Sequence, residues 1–352
     1  MGLAKTFSAV IVGVRANIVE VEADLSQGLP GLSIVGLPDT ALNEARDRVR
    51  AAVVNSGLKW PNVKTTVSLS PAWLPKRGSG LDLAIALAIL AADGQLPVQE
   101  VGRILSLGEL GLDGMVRPAP GALATALAMR RSSGRVPSAI AAGSSDCLCL
   151  RAVPGLEVIE APSLRALAAR LLGEQEVDPG VDLSAPAFVA LESSSDARAY
   201  KDMSDVKGQP EAKRALEIAA AGGHHVALLG RAGVGKTLLA ERLPGILPNL
   251  DDEQALEVTS IHQLSGRLDS AGTGLARCAP WFAPHHTASR AAMVGGGSDN
   301  RPSIGMVSLA HHGVLFLDEA AEFEPSVLDA LREPLESGRV TIARAGFQLC
   351  LP

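Results

Sequence analysis

Aromatic side chains are scarce in this 352-residue chain: only 3% are Phe, Trp or Tyr, and there is a single tyrosine. Its cores must therefore be built from Ala, Val, Leu and Ile, within a hydrophobic content of 47%. Cysteine is also sparse. Cys147, Cys149, Cys278 and Cys350 show neither metal-ligand spacing nor the framework of a short secreted domain, so they read as reduced thiols of a cytoplasmic protein. A basic surplus is missing as well. The formal net charge is −6, and acids outnumber bases in both halves. Any nucleic-acid contact must then come from a local patch, not from the global field. No secretory signal is evident. The longest apolar run, Leu83 to Ala92, is far short of the roughly 20 residues a membrane-spanning helix needs. No internal repeat occurs, and no histidine precedes residue 224.

Against this plain background one segment is highly specific. Gly230-Arg231-Ala232-Gly233-Val234-Gly235-Lys236-Thr237 reads G-x-x-x-x-G-K-T. The apolar run Val226-Ala227-Leu228-Leu229 precedes it, and the helix-compatible Leu238-Leu239-Ala240-Glu241-Arg242-Leu243 follows. This is the strand–loop–helix setting of a phosphate-binding loop. Gly230, Gly233 and Gly235 let the backbone curl so that N–H groups point at phosphate oxygens, with Val234 and Leu238 in the same cradle. Lys236 is expected at the β- and γ-phosphates, and the Thr237 hydroxyl on Mg²⁺. A tight strand-to-helix turn alone would not call for Lys236-Thr237.

Downstream, His312-Gly313 leads into Val314-Leu315-Phe316-Leu317 and then Asp318-Glu319. Four apolar residues emptying into two acids predict a buried parallel strand with a site at its C-terminal end. Standing alone, the acids would read as a helix cap. With the phosphate loop upstream they form a Walker B pair. Asp318 then holds the Mg²⁺ shell and Glu319 orients the attacking water.

The remaining pattern is mixed. Phe7 to Val14 and Asn17 to Asp24 are strand-like, and Val63, Thr65, Val67 and Leu69 alternate with polar residues. Asp39 can cap a helix whose Leu42, Ala45, Val49, Ala52 and Val53 share a face, with Gly57 as its stop. A helix over Leu81 to Ala92 is apolar nearly all round and should be buried. Residues 174–205 shift to Pro, Gly and Ser and read as a linker. A further helix starts near Pro210 and ends at Gly222-Gly223. The strands flanking Arg344-Ala345-Gly346 predict a hairpin.

Several strings make the chain familiar as a set: Gly31-Leu32-Ser33-Ile34-Val35-Gly36-Leu37-Pro38, Ser68-Leu69-Ser70-Pro71-Ala72, Gly108-Glu109-Leu110-Gly111, Phe282-Ala283-Pro284-His285-His286 and Ser308-Leu309-Ala310-His311. Over essentially its whole length the chain resembles the YifB/ComM family of magnesium-chelatase-like AAA+ ATPases, competence-associated proteins of bacteria. The resemblance implies α/β and α+β architecture. Residues 1–172 would form a Lon-protease-like domain of the ribosomal-protein fold, 173–204 a linker, and 205–352 a P-loop AAA+ core. It implies ATP and Mg²⁺ as cofactors, a hexameric ring in the full-length form, and DNA, single-stranded or branched, as partner. The implied activity is ATP-driven branch migration and unwinding of DNA in natural transformation and recombination. No membrane partner is implied. Ala232 departs from the proline usual in the family, but the phosphate-contacting residues are intact.

The same resemblance raises and then removes a peptidase reading. The Ser–Lys dyad positions of Lon-type proteases fall here on Gly80 and Leu123, which can do neither nucleophilic nor base chemistry. Ser79 is adjacent but has no evident lysine. Lys76 and Arg77 are candidate DNA contacts, or else solvated loop charges, and Arg344 is a candidate contact at the hairpin tip. The histidines of the Phe282–Gly297 segment lack a third ligand of useful spacing, and Gly295-Gly296-Gly297 predict a mobile loop near a ring pore. Only 33 residues follow Glu319. The family's sensor 1 strand, its arginine finger, its sensor 2 arginine and its helical lid lie beyond that point. The expectation is a C-terminally truncated member or a fragment, with gapped Walker strands and impaired hydrolysis. Two alternatives to a DNA motor stand beside it: a metal-chelatase motor subunit and a non-catalytic ATP-binding scaffold.

Overall fold

A computed structural model describes residues 2–37, 40–76, 78–132, 137–174, 201–267, 275–298, 301–344 and 347–352. The chain divides into two compact units between residues 189 and 190. The expected linker lies for the most part outside the described residues, as do Asp39 and Arg77.

In the first unit, β1 (Gly2–Val12) and β2 (Arg15–Ser26) form a long antiparallel hairpin. Next come β3 (Gly31–Val35), α1 (Thr40–Asn55), β4 (Lys64–Ser70) and α2 (Asp82–Ala92). The chain continues through α3 (Val98–Gly102), β5 (Ile104–Ser106) and the small pair β6 (Glu109–Leu110) and β7 (Val116–Arg117). It closes with α4 (Ala122–Arg131), β8 (Ala139–Ala142), α5 (Ser144–Leu150), β9 (Glu157–Glu160) and α6 (Leu164–Leu172). Seven strands make one sheet in the order β3-β4-β2-β1-β5-β8-β9. The β3–β4, β1–β5, β5–β8 and β8–β9 pairs are parallel. Parallel neighbours need crossover helices, and α1 between β3 and β4 is one.

With few aromatics, density comes from small aliphatic residues. Every residue of α2 is buried, as its all-round apolar sequence demands. Ala45, Val49, Ala52 and Val53 turn the predicted face of α1 into the same core, while the side chain of Leu42 lies outside the described set. Thr65, Val67 and Leu69 of β4 are buried in alternation, the period-2 signature of a half-buried strand. Gly57 ends the α1 segment with a left-handed φ of 78°. One buried charge pins these layers. Asp82 opens α2, accepts from Arg48 of α1 at 2.9 and 3.2 Å and from the Leu110 amide of β6 at 3.4 Å.

Lys76 corrects an expectation. Its side chain is fully buried, and its Nζ donates to the Pro71 carbonyl. Burial pushes the ammonium below its ordinary pKa. A charge so enclosed has no surface to offer a phosphate backbone. The Ser-Pro-Ala-Trp-Leu-Pro turn simply folds over it. Of the two dyad positions, Leu123 is buried in α4, and Gly80 leaves its added Cβ 3.3 Å from the Ala119 methyl. The Ser79 hydroxyl donates to Glu109, an acceptor and not a base of the lysine kind.

In the second unit, α7 (Pro210–Gly222) begins and ends at the predicted residues. It is followed by α8 (Lys236–Ala240), α9 (Asp252–Leu264), β10 (Trp281–Phe282), α10 (Arg290–Val294), β11 (Gly296–Ser298) and β12 (Arg301–Ser303). Then come α11 (Met306–Leu309), β13 (Val314–Leu315), α12 (Pro325–Ala330), α13 (Arg332–Ser337) and the antiparallel hairpin β14 (Val340–Arg344) with β15 (Phe347–Leu351). The hairpin matches its prediction; the Arg344 side chain lies outside the described set. The triple-glycine segment differs. Gly296 and Gly297 pair with Ser303 and Pro302 in a short ladder, where a mobile loop was expected. Among the described residues, no helix is long and apolar enough to cross a membrane.

Asp146 gives the first unit a testable pH dependence. It is buried with one amide donor, Ala119, at 3.3 Å, and burial raises its pKa from 3.8 to about 6. The folded state therefore holds this proton more tightly than the unfolded chain does. The associated stability is fully present below about pH 3.8 and is lost as pH rises through about 6. Relative to the parent, Asp146→Asn should gain about 2–3 kcal/mol across that window in chemical denaturation. A difference that stays flat with pH would contradict it.

Candidate functional site

The loop from Gly230 to Thr237 joins an extended segment to α8. Gly233 and Gly235 take left-handed φ values of 78° and 90°, which side chains with a Cβ resist. These two glycines turn the loop back on itself. None of the N–H groups of residues 232–235 has a hydrogen-bond partner among the described residues. A run of exposed unpaired donors around a glycine loop is what a phosphate fits, so the loop passes that test. Lys236 Nζ spans the loop, donating to the Gly230 and Arg231 carbonyls at 2.9 and 3.0 Å. Gln209, itself left-handed with φ 54°, donates from Nε2 to the Val234 carbonyl at 2.7 Å. Sequence reasoning missed Gln209, since only the fold brings it 25 residues forward to the loop. It missed Arg242 too. That buried guanidinium donates to the Leu238 carbonyl at 2.9 Å and the Asp202 carbonyl at 3.1 Å, fixing the end of α8 to the start of the unit.

The two predicted motifs meet. Thr237 Oγ1 donates to Asp318 Oδ2 at 3.2 Å, across 81 positions of sequence. Asp318 Oδ1 also accepts from the Glu319 amide at 3.0 Å. Glu319 adopts φ 50°, a left-handed conformation that a non-glycine residue enters only when its surroundings impose it. Thr237, Asp318 and Glu319 line a cavity of about 330 Å³ together with Glu241, Trp281, His285, His286 and Phe316. Its apolar wall is the stack of Trp281 on Phe316, with ring centroids 5.2 Å apart and planes at 22°. The rings of His285 and His286 lie tilted at 36° with centroids 4.0 Å apart, and the Nδ1 of His285 contacts the Thr287 hydroxyl at 2.9 Å.

The strands behind the site are weaker than predicted. The Val314–Leu317 run does form a parallel pair: Trp281 and Phe282 face Val314 and Leu315, and the Phe316 amide donates to the Phe282 carbonyl at 2.8 Å. It is only half-buried, however. The Val226–Leu229 run, expected as a strand, is not one. It has no ladder partner among the described residues, and Leu229 is 94% exposed. A segment without a ladder partner leaves its backbone groups to water, and of its four side chains only Leu228 packs inward, against the cluster of Met203, Val206, Leu216 and Leu239.

The chain is similar to known proteins over its full length. The family model for magnesium chelatase, subunit ChlI, matches residues 202–352, and a second for subunit ChlI of Mg-chelatase matches residues 21–138. The chain is 46% identical over 353 residues to an uncharacterized protein of Mycobacterium tuberculosis, Rv2897c, covering all of this chain and 67% of that protein. It is 42% identical over 352 residues to the uncharacterized protein YifB of Escherichia coli, covering 66% of it. It is 40% identical over 352 residues to the competence protein ComM of Haemophilus influenzae, covering 67% of it. A shorter similarity, 30% over 153 residues, connects 42% of the chain to Lon protease 2 of Bacillus subtilis. The chain thus spans about two thirds of the length of the first three relatives.

The β10–β13 pair that carries Asp318 depends on Gly313. A Cβ there would stand 2.1 Å from the Pro280 carbonyl, the same oxygen that accepts from the Val314 amide at 2.8 Å. Neither side can yield without breaking the ladder. Gly313→Ala should cost about 1–3 kcal/mol or more and lower the melting temperature of the second unit. An unchanged melting curve would contradict this placement.

Proposed function

The chain belongs to the YifB/ComM family of magnesium-chelatase-like proteins, and from that premise we propose that it is an ATP-binding AAA+ motor subunit. In this reading residues 1–172 are a Lon-protease-like scaffold without a catalytic dyad, 173–204 a linker and 205–352 the motor domain. The motor couples ATP hydrolysis to branch migration and unwinding of DNA, as a hexameric ring in the cytoplasm. The observation that carries the reading is the Thr237–Asp318 hydrogen bond, which brings the two motifs together over the cavity.

The roles follow from chemistry. Backbone donors of Gly230 to Leu238 hold the nucleotide's phosphates, and Lys236 exchanges its two loop carbonyls for phosphate oxygens. Thr237 Oγ1 and Asp318 are the two oxygen donors for Mg²⁺, a hard cation suited to hydroxyl and carboxylate. Bound Mg²⁺ supplies charge neutralisation at the phosphates. Glu319, next to Asp318 and on the cavity wall, accepts a hydrogen bond from water and orients it. Arg344 at the hairpin tip is retained as a DNA contact.

A second reading, an ATP-binding scaffold without turnover, is favoured by one observation: the unpaired, exposed Val226–Leu229 run behind the phosphate loop. A chelatase-type motor is separated from the DNA motor by whether DNA stimulates ATP turnover.

Lys236→Ala should weaken Mg²⁺–ATP binding at least tenfold in a nucleotide titration; unchanged affinity would remove the basis of the reading. Glu319→Gln should bind Mg²⁺–ATP nearly as the parent does while losing at least 100-fold in any DNA-stimulated turnover. Normal turnover by that variant would give the role of Glu319 to another residue.

A further inference from the structure

Away from the cavity that holds Asp318, three side chains converge in the second unit. Glu257 projects from α9, and His311 and His312 follow α11. His311 Nε2 and His312 Nε2 each lie 3.3 Å from the same oxygen, Glu257 Oε2, and the three atoms fall within 4.8 Å of one another. Adjacent residues in a strand point to opposite faces, which is why a His-His pair is a poor chelator by default. Here His312 has φ 56°. That left-handed turn rotates the second imidazole onto the side of the first, and the ring centroids sit 3.9 Å apart at 50°.

We propose that Glu257, His311 and His312 form a three-ligand site for a borderline divalent cation of the zinc class, with a fourth position open to solvent.

The distances favour it. Zinc–nitrogen and zinc–oxygen bonds of about 2.0–2.1 Å, set tetrahedrally, separate neighbouring ligand atoms by about 3.3–3.4 Å. Both nitrogen–oxygen separations found here have that length, which is long for a charge-assisted hydrogen bond. Two imidazoles and one carboxylate are the donor set of three-ligand zinc sites, whereas Mg²⁺ takes oxygen donors. All three side chains remain partly exposed, between 21% and 31%, which leaves a route for the ion. A bound ion would join α9 to the corner entering β13, beside the existing contact of His262 Nε2 with the Leu309 carbonyl at 2.9 Å.

The test uses the full chain, stripped with a chelator and held in millimolar Mg²⁺. Zn²⁺ is titrated in competition with a chromophoric indicator, and Co²⁺ is read in the visible spectrum. The expected results are one equivalent of Zn²⁺ per chain and a Co²⁺ band of tetrahedral intensity. Glu257→Gln and His312→Asn should each weaken binding at least tenfold. Asn tolerates the left-handed backbone at position 312, so that variant keeps the fold. Replacing both His285 and His286 by Ala should leave the site intact. The proposal is overturned if the stripped parent binds no Zn²⁺, if binding moves with His285 and His286, or if either Glu257→Gln or His312→Asn binds as the parent does. An octahedral Co²⁺ spectrum overturns it without recourse to any variant.

Discussion

The proposed nucleotide site depends on one hydrogen bond, from Thr237 Oγ1 to Asp318 Oδ2. It joins the phosphate loop to the acidic pair where the backbone does not: among the described residues no ladder connects Val226–Leu229 to β13. A neutral donor to one exposed carboxylate contributes on the order of 1 kcal/mol. The loop is held more firmly from its own side, by Gln209 and Lys236 on its carbonyls and by Arg242 under α8. The two halves of the site are thus separately shaped and lightly coupled. A ligand that binds both would stabilise their joint arrangement.

The first unit rests on a different constraint. With so few aromatics, its volume is filled by a helix buried on every side, α2, against a parallel-rich sheet. Asp82 is a buried charge at the start of that helix, and Arg48 meets it. Here sequence pattern and fold agree in the alternation of β4 and the apolar face of α1, while Lys76 departs from its expectation.

Legibility followed the kind of signal involved. Motifs fixed by chemistry were readable, because G-x-x-x-x-G-K-T demands particular residues at particular spacing, and Asp318 did meet Thr237. Periodic elements were readable for the same reason: α7 runs between its predicted ends, Pro210 and Gly222. Failures arose where the outcome depended on a neighbour. Val226–Leu229 has strand composition, but a strand exists only with a partner. Lys76 reads as a surface charge until the turn over Pro71 encloses it. The convergence of His311 and His312 on Glu257 is not legible either, because adjacent side chains normally diverge and the left-handed φ at His312 has no sequence signal of its own.

The central claim is that residues 230–238 and 314–319 are two parts of one Mg²⁺–nucleotide site. Backbone hydrogen exchange with and without Mg²⁺–ATP tests it most directly. The account predicts that both segments gain protection together, over the same range of nucleotide concentration, with the β1–β2 hairpin of the first unit unchanged. Protection of the glycine loop alone, or of neither segment, would contradict it.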